Sequence, residues 1–421
     1  MKQKSFGNLL RMQQTDRGQL QIQVRTGIRN RPIPGAKVRI SYTGAPGEPL
    51  EELETDQNGR TEVIDLPTPP VELSLTPQEM QPYSEYNINI QAPGFESVEI
   101  SGVEMLSGEM SLQDAFLREQ SRGAYEDIVI PAHTLYGDYP AKIPEEEIKP
   151  VNQSGEIVLS RVVVPEYVVV HDGAPSDSTA QNYYVRYRDY IKNVASSEIY
   201  ATWPVETIKA NVLAIMSFTL NRVYTEWYRN KGYDFTITSS TAYDHKWING
   251  RNIFDSISNV VDELFESYLS RPNVRQPILT QYCDGRRVQC PNWMTQWGSK
   301  ALGDQNYTAI EILRNFYGDD MYINSAEQIS GVPSSWPGQN LDIGSSGSKV
   351  LQLQEQLNTI SMVYQAIPMV NVDGIYGEQV KNAVRQFQSV FGLPQTGIVD
   401  YQTWYKIQEI YVGVTRIAEL N

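Results

Sequence analysis

The chain has 421 residues and a formal charge of -15 at neutral pH, a balance that excludes a phosphate-backbone partner, which needs a basic face. At 40% hydrophobic composition it can bury several cores, and ordinary domain sizes divide it into about three units. No stretch is long and apolar enough to span a membrane, and Met1 to Asp16 carries Lys2, Lys4 and Arg11 without the apolar run of a signal peptide, so neither nucleic acid nor membrane is expected as a partner.

Residues 18 to 106 alternate apolar and polar side chains in short runs. Gln19 to Val24, Pro34 to Ile40 and Tyr86 to Ile90 are separated by turn residues such as Asp56 to Arg60 and Ala92 to Gly94. Period two with turns at this spacing predicts an all-β sandwich, here assigned to residues 1–118. The order Pro34-Gly35-Ala36, Asp56 to Gly59 and Ala92-Pro93-Gly94-Phe95 resembles the transthyretin-like regulatory domains attached to carboxypeptidases. That resemblance implies a folding or docking module without catalysis. Residues 119–156 change character: Tyr139 to Pro150 combine proline and acidic charge with little apolar periodicity and read as a linker and processing region.

The next unit, residues 157–330, opens with apolar runs at Ile157 to Val164 and Tyr167 to Val170 that read as buried strands. Pro204 then suits the start of a helix capped at Trp203 and running to about residue 229. Ile208, Val212, Ile215, Thr219 and Val223 form its core face, and Asn211, Arg222 and Glu226 are expected to face water. Ile253, Ile257, Val260, Val261, Leu264 and Tyr268 predict a second amphipathic helix. Strands and helices out of strict alternation indicate α+β. Glu206 falls in the first turn, where a carboxylate answers free N–H groups and the helix dipole, and is read as structural. Glu198 lies ahead of the helix beside Ile199, Tyr200 and Trp203, where desolvation would raise its pKa and keep a proton available; it is the candidate acid. His245, next to Asp244, either performs acid–base work or is held structurally by that aspartate. Cys283 and Cys290 are read as a bridge or two thiols ahead of a zinc site with His245, because no four-ligand spacing exists. No metal and no cofactor is expected.

Several stretches of this unit resemble the SpoIID family of peptidoglycan lytic transglycosylases: Asp189 to Val194, the Ser197-Glu198 pair, Trp203 to Ala210, the Thr/Ser-rich Thr238 to Tyr243, and Gln296-Trp297-Gly298 followed by Tyr307 to Gly318. The resemblance covers about residues 160 to 325. It implies that Glu198 protonates a glycosidic oxygen and then takes a proton from the 6-hydroxyl of the same N-acetylmuramic acid ring, leaving a 1,6-anhydro end. It also implies substrate contacts from Tyr243 and Gln296, to which Tyr282 and Trp297 add apolar ring faces; Lys209 and His245 complete the candidate substrate-binding set.

Residues 331–340 are loop-like by composition, and a last domain, 341–421, follows. Leu341 to Leu357 reads as a turn leading into a helix, and Val380, Ala383, Val384, Phe387 and Phe391 form a second apolar stripe. With Val372 to Gly377, Gly392-Leu393-Pro394, Gly397 to Asp400 and Thr403-Trp404, the set resembles the small three-helix peptidoglycan-binding domain of the first type. The domain order resembles that of spore cortex-lytic enzymes of the SleC type. That likeness implies a precursor whose first 150 or so residues restrain the enzyme until a protease cuts, peptidoglycan glycan strands as partner, and the spore or cell wall as location. A noncatalytic wall-binding protein or amidase enhancer is the alternative reading.

Overall fold

A computed structural model describes residues 16–26, 31–119, 125–150, 159, 161–326, 328–329, 337 and 339–415. The N-terminal unit is β-rich. Its strands are β1 (Asp16–Thr26), β2 (Lys37–Tyr42), β3 (Pro49–Glu54), β4 (Ile64–Thr68), β5 (Ser84–Gln91), β6 (Ser97–Met105), β7 (Met110–Leu117) and β8 (Tyr125–Val129), with one short helix, α1 (Glu72–Leu75), between β4 and β5. One sheet runs β3-β2-β5-β6-β8; β7, β1 and β4 are neighbours in another. Alternate residues of both sheets, Leu20, Ile22 and Val24 from one and Val38, Ile40, Ile88 and Ile90 from the other, meet in a single core, as period-two patterning requires.

The central unit contributes β9 (Val163–Val164), β10 (Tyr167–His171), β11 (Asn182–Arg186), α2 (Tyr187–Glu198), α3 (Val205–Tyr224), β12 (Ile237–Thr238), β13 (Ile253–Phe254), α4 (Asp255–Leu264), α5 (Gln296–Gly303) and α6 (Ala309–Tyr317). Helix α3 is the axle. It packs on α2, α4, α5 and α6, so it is buried from Ala210 to Tyr224, and Asn211 and Arg222, expected at the surface, are inside the core. Each is there because it is paired: Asn211 donates to Ser299 Oγ at 2.8 Å and Arg222 to Asp244 Oδ1 at 2.7 Å, as buried polar groups require. The helix stops at Tyr224, earlier than its pattern suggested, because Glu226 takes a left-handed conformation with φ of 46°. The second amphipathic helix is likewise shorter than its stripe: Ile253 belongs to β13 and Tyr268 to a strand pairing with residues 322–325.

The units are joined more closely than a string of domains would be. Strand β13 extends the N-terminal sheet, pairing Ile253 with Leu112 and Phe254 with Ser111. Next to it Arg251 and Glu104, both buried, form an ion pair of 2.7 Å. The segment expected to be a linker is also packed. Residues 125–129 pair with β6, and His133, Leu135, Tyr139, Lys142 and Lys149 are buried. Its prolines keep it extended, while two of its acidic residues, Glu145 and Glu147, read from composition as solvated, are bound by Arg222 and Arg271 of the central unit. Residues 120–124 and 151–156 of that expected linker, residues 157, 158 and 160 of the strand expected after it, and most of 331–340 lie outside the described residues.

At the C-terminal end α7 (Ser348–Ser361), α8 (Glu378–Val390) and α9 (Tyr401–Thr415) form the expected three helices. Val380, Ala383, Val384 and Phe387 are buried among them. This domain is docked: Arg188 of α2 donates to the Tyr405 carbonyl at 3.0 Å and pairs with Glu409, and Arg60 of the β-rich unit reaches the Ser389 carbonyl at 3.1 Å.

Candidate active site around Glu198

Glu198 is the last residue of α2, a helix the sequence reading did not assign when it placed the glutamate ahead of the helix at Pro204. The position matters because the final carbonyls of a helix have no partner inside it. Here they are each taken from outside. Ser196 O accepts from Arg251 at 2.7 Å, Ser197 O from the Thr134 N–H at 3.2 Å, and Glu198 O from Gln296 Nε2 at 3.0 Å. The backbone that carries the carboxyl is therefore fixed by three separate parts of the chain.

The side chain is fully buried. Its Oε1 accepts the Lys246 backbone N–H at 2.6 Å, and its Oε2 accepts the Tyr282 hydroxyl. The Lys246 N–H is aimed by Asn193, whose amide donates to Ile248 O at 2.7 Å and accepts from Ile248 N at 3.0 Å, clamping the 246–248 loop to α2. Burial pushes the Glu198 pKa up, against the pull of the Lys142 ammonium and of the two hydrogen bonds. Desolvation wins, and the carboxyl holds its proton more tightly than a solvated glutamate does.

His245 stacks on Tyr282, ring centroids 5.8 Å apart, and packs on Phe218 at 4.4 Å. Its Nδ1 lies 3.0 Å from the Tyr190 hydroxyl. Asp244 does not hold it, contrary to the structural alternative offered by the sequence. That carboxylate is engaged by Arg222, by the Tyr228 hydroxyl at 2.7 Å and by Thr238 N–H and Oγ1 at 2.9 and 2.7 Å. Burial holds the His245 pKa well below its ordinary value, so the ring is neutral.

The candidate substrate residues separate into two groups. Tyr282, Gln296 and His245 gather at Glu198, but the Tyr282 hydroxyl and the Gln296 Nε2 are spent on the glutamate itself. Trp297 is half-buried against Trp203 and Tyr200, at 5.0 and 6.2 Å, and the Trp203 indole N–H is held by Ser74 O at 3.0 Å. Lys209 pairs with Glu263 at 2.9 Å, an ion pair on the outer side of α3. Tyr243 is half-buried, and its carbonyl accepts from Arg222. Glu206 is structural as read, though its oxygen accepts the Ala309 N–H that starts α6, at 2.7 Å, and not one from its own helix. Cys283 and Cys290 form a disulfide. Among the described residues no three His, Cys, Asp or Glu side chains gather where a metal could bind.

Two groups at the site were missed in the sequence, and both come from the expected linker. Tyr139 is buried within electrostatic range of Glu198. Lys142 is buried too, donates to Asp244 O at 2.7 Å and lies 4.7 Å over the Tyr282 ring. Composition gave no signal for either, because what buries them is distant in the chain.

Residues 176–264 match the model of a family described as stage II sporulation protein, and residues 346–407 that of a putative peptidoglycan binding domain. The first match includes Glu198 and His245 and ends before Tyr282 and Gln296. No curated protein matches the chain. Among solved structures, the SleB N-terminal domain is similar at 30% identity over 18% of this chain and 99% of its own, with a TM-score of 0.16. The TIE protein of Bacillus anthracis is similar at 16% identity over 25% of this chain and 17% of its own, TM-score 0.18. The 5-hydroxyisourate hydrolase of Klebsiella pneumoniae is similar at 14% identity over 24% and 92%, TM-score 0.17. Scores this low carry no argument about the fold. With one model matching around the glutamate and the other matching the C-terminal helices, the chain combines a SpoIID-type domain with a peptidoglycan-binding domain.

Proposed function

We propose that this protein is a peptidoglycan lytic transglycosylase of the spore, made as a proenzyme. The observation that carries the reading is Glu198: one buried carboxyl of raised proton affinity, held at both oxygens, whose strongest charged influences are the cations of Lys142 and Lys246. A hydrolase that activates water or forms a glycosyl-enzyme uses a pair of carboxylates. A transglycosylase that turns the 6-hydroxyl of muramic acid onto its own C1 asks for one group, an acid first and a base afterwards. Glu198 suits both roles. Burial keeps the proton until the glycosidic oxygen needs it, and the Tyr282 hydroxyl and Lys246 N–H stabilise the carboxylate left behind. The 1,6-anhydro end forms as that carboxylate takes the hydroxyl proton back. Neutral His245 orients Tyr282 through stacking. The C-terminal domain would hold the enzyme on glycan, raising the local concentration of scissile bonds.

The full burial of Glu198 supports the proenzyme part, since a glycan cannot reach it in this state. The two β-sheets are consistent with a transthyretin-like regulatory unit, and the domain limits 1–118, 157–330 and 341–421 follow from the same reading. Complete burial is also what a noncatalytic wall-binding protein or amidase enhancer would show. Incubating protease-activated protein with peptidoglycan and analysing the products by mass spectrometry separates the two. Anhydromuropeptides are expected from the wild type and none from Glu198→Gln, which should still sediment with wall. Product from Glu198→Gln at the wild-type rate would remove the glutamate from its role.

A further inference from the structure

Residues 134–149 cross the central unit as a strap that begins in a turn at 134–137 and runs on without helix or strand, and that unit meets their backbone with side-chain amides. Glu145 N–H donates to Gln281 Oε1 at 2.8 Å, and Gln281 Nε2 donates to Ile143 O at 2.8 Å. Gln276 treats one residue in the same two-way manner, accepting Lys149 N–H at 2.7 Å and donating to Lys149 O at 3.1 Å. Ile143 N–H donates to Ala242 O, and Leu279 N–H to Glu147 O, both at 2.8 Å. Two carboxylates of the strap are gripped by guanidinium forks: Glu145 by Arg222 at 2.6 and 2.9 Å, and Glu147 by Arg271 at 2.7 and 2.8 Å. Backbone pairing plus paired charge is how proteins bind an extended acidic peptide.

Between the point where Thr134 caps α2 and these anchors, the strap turns Tyr139 and Lys142 in toward the catalytic glutamate. Both are buried, both feel the charge of Glu198, and the Lys142 ammonium acts on it in return. The fit around the acid is imperfect. The Tyr139 hydroxyl, His245 Nε2 and Gln296 Oε1 are buried without a hydrogen-bond partner, unlike the polar atoms along the anchored stretch. Buried polar atoms are normally satisfied.

We infer that residues 134–149 are a plug: an acidic peptide seated in a dedicated groove of the central unit, closing the approach to Glu198 by occupying it. This rests on Glu198 being the catalytic acid, and it changes what activation demands. A cut in the chain after Pro150 leaves the plug in place, and opening requires the carboxylate forks at Arg222 and Arg271 to part.

The test uses the full chain as wild type, as the Glu145→Gln/Glu147→Gln double variant and as the milder Glu147→Gln. Hydrogen exchange of the 142–149 amides reports the plug, and mass spectrometry after treatment with a water-soluble carbodiimide and an amine reports access to the Glu198 carboxyl. In the double variant, exchange and Glu198 labelling are both expected to rise by about tenfold or more, with the single variant between. An added synthetic peptide spanning Lys142 to Lys149 should reverse the labelling. Faster exchange with Glu198 labelling still at the wild-type level would overturn the plug, as would unchanged exchange in both variants. Labelling needs no turnover, so a variant that labels freely yet yields no anhydromuropeptide upholds the plug and counts against the transglycosylase.

Discussion

Tyr282→Phe removes the hydroxyl that donates to Glu198 Oε2 and keeps the ring that stacks on His245. A hydrogen bond to an ionised group is worth about 1.5–3 kcal/mol, and a change of one pH unit in a pKa corresponds to about 1.4 kcal/mol. The lost bond favoured the carboxylate, so the variant's Glu198 should titrate about one to two pH units higher than the wild type's. The direction of the stability effect follows. Burial already raises the folded-state pKa of Glu198 above 4.5, so the native chain binds the extra proton. The linked stability is present at low pH and is lost as pH rises from 4.5 through the folded pKa. In Tyr282→Phe that loss extends to higher pH and is larger. The assay is the infrared band of the protonated carboxyl, assigned by its disappearance in Glu198→Gln and followed against pH. An unmoved or lowered midpoint in Tyr282→Phe would refute the idea that this phenol holds the charged form.

Two further outcomes are expected. Gln296→Leu leaves the last carbonyl of α2 buried and unpaired at a cost of about 1–3 kcal/mol, so the thermal midpoint should fall and the activated enzyme should turn over more slowly while wall sedimentation is unchanged; equal stability would show that Gln296 does not anchor Glu198. His245 should stay neutral, its imidazole proton resonances flat between about pH 5.5 and 8, and because its folded pKa is depressed its contribution to stability is lost as pH falls below 6.5. An ordinary titration in that window would contradict its burial.

The local patterns were legible because they depend on near neighbours. Alternation in 18–106 and the stripe Val380, Ala383, Val384 and Phe387 each report which face of an element is apolar, and the sheets and helices formed accordingly. The burial of the candidate acid Glu198 was legible too, through the apolar Ile199, Tyr200 and Trp203 that follow it. What surrounds it was not. Tyr282 and Gln296 read as sugar contacts because their residue types suit sugars; only the fold shows that the Tyr282 hydroxyl and the Gln296 Nε2 are spent on Glu198, 84 and 98 positions away.

The sequence by itself determined the elements, the candidate acid and the helical wall-binding domain, all properties of short windows. Only the tertiary structure decided that Tyr139 to Lys149 is packed and not a linker. A run of proline and glutamate reads as solvated until its partners are known. Here those partners, Arg222, Arg271, Gln276 and Gln281, are brought to it by α3 and the loops that pack against that helix. A charge is buried only where an opposite charge and satisfied hydrogen bonds replace water, and that depends on contacts between distant parts of the chain that no local window contains.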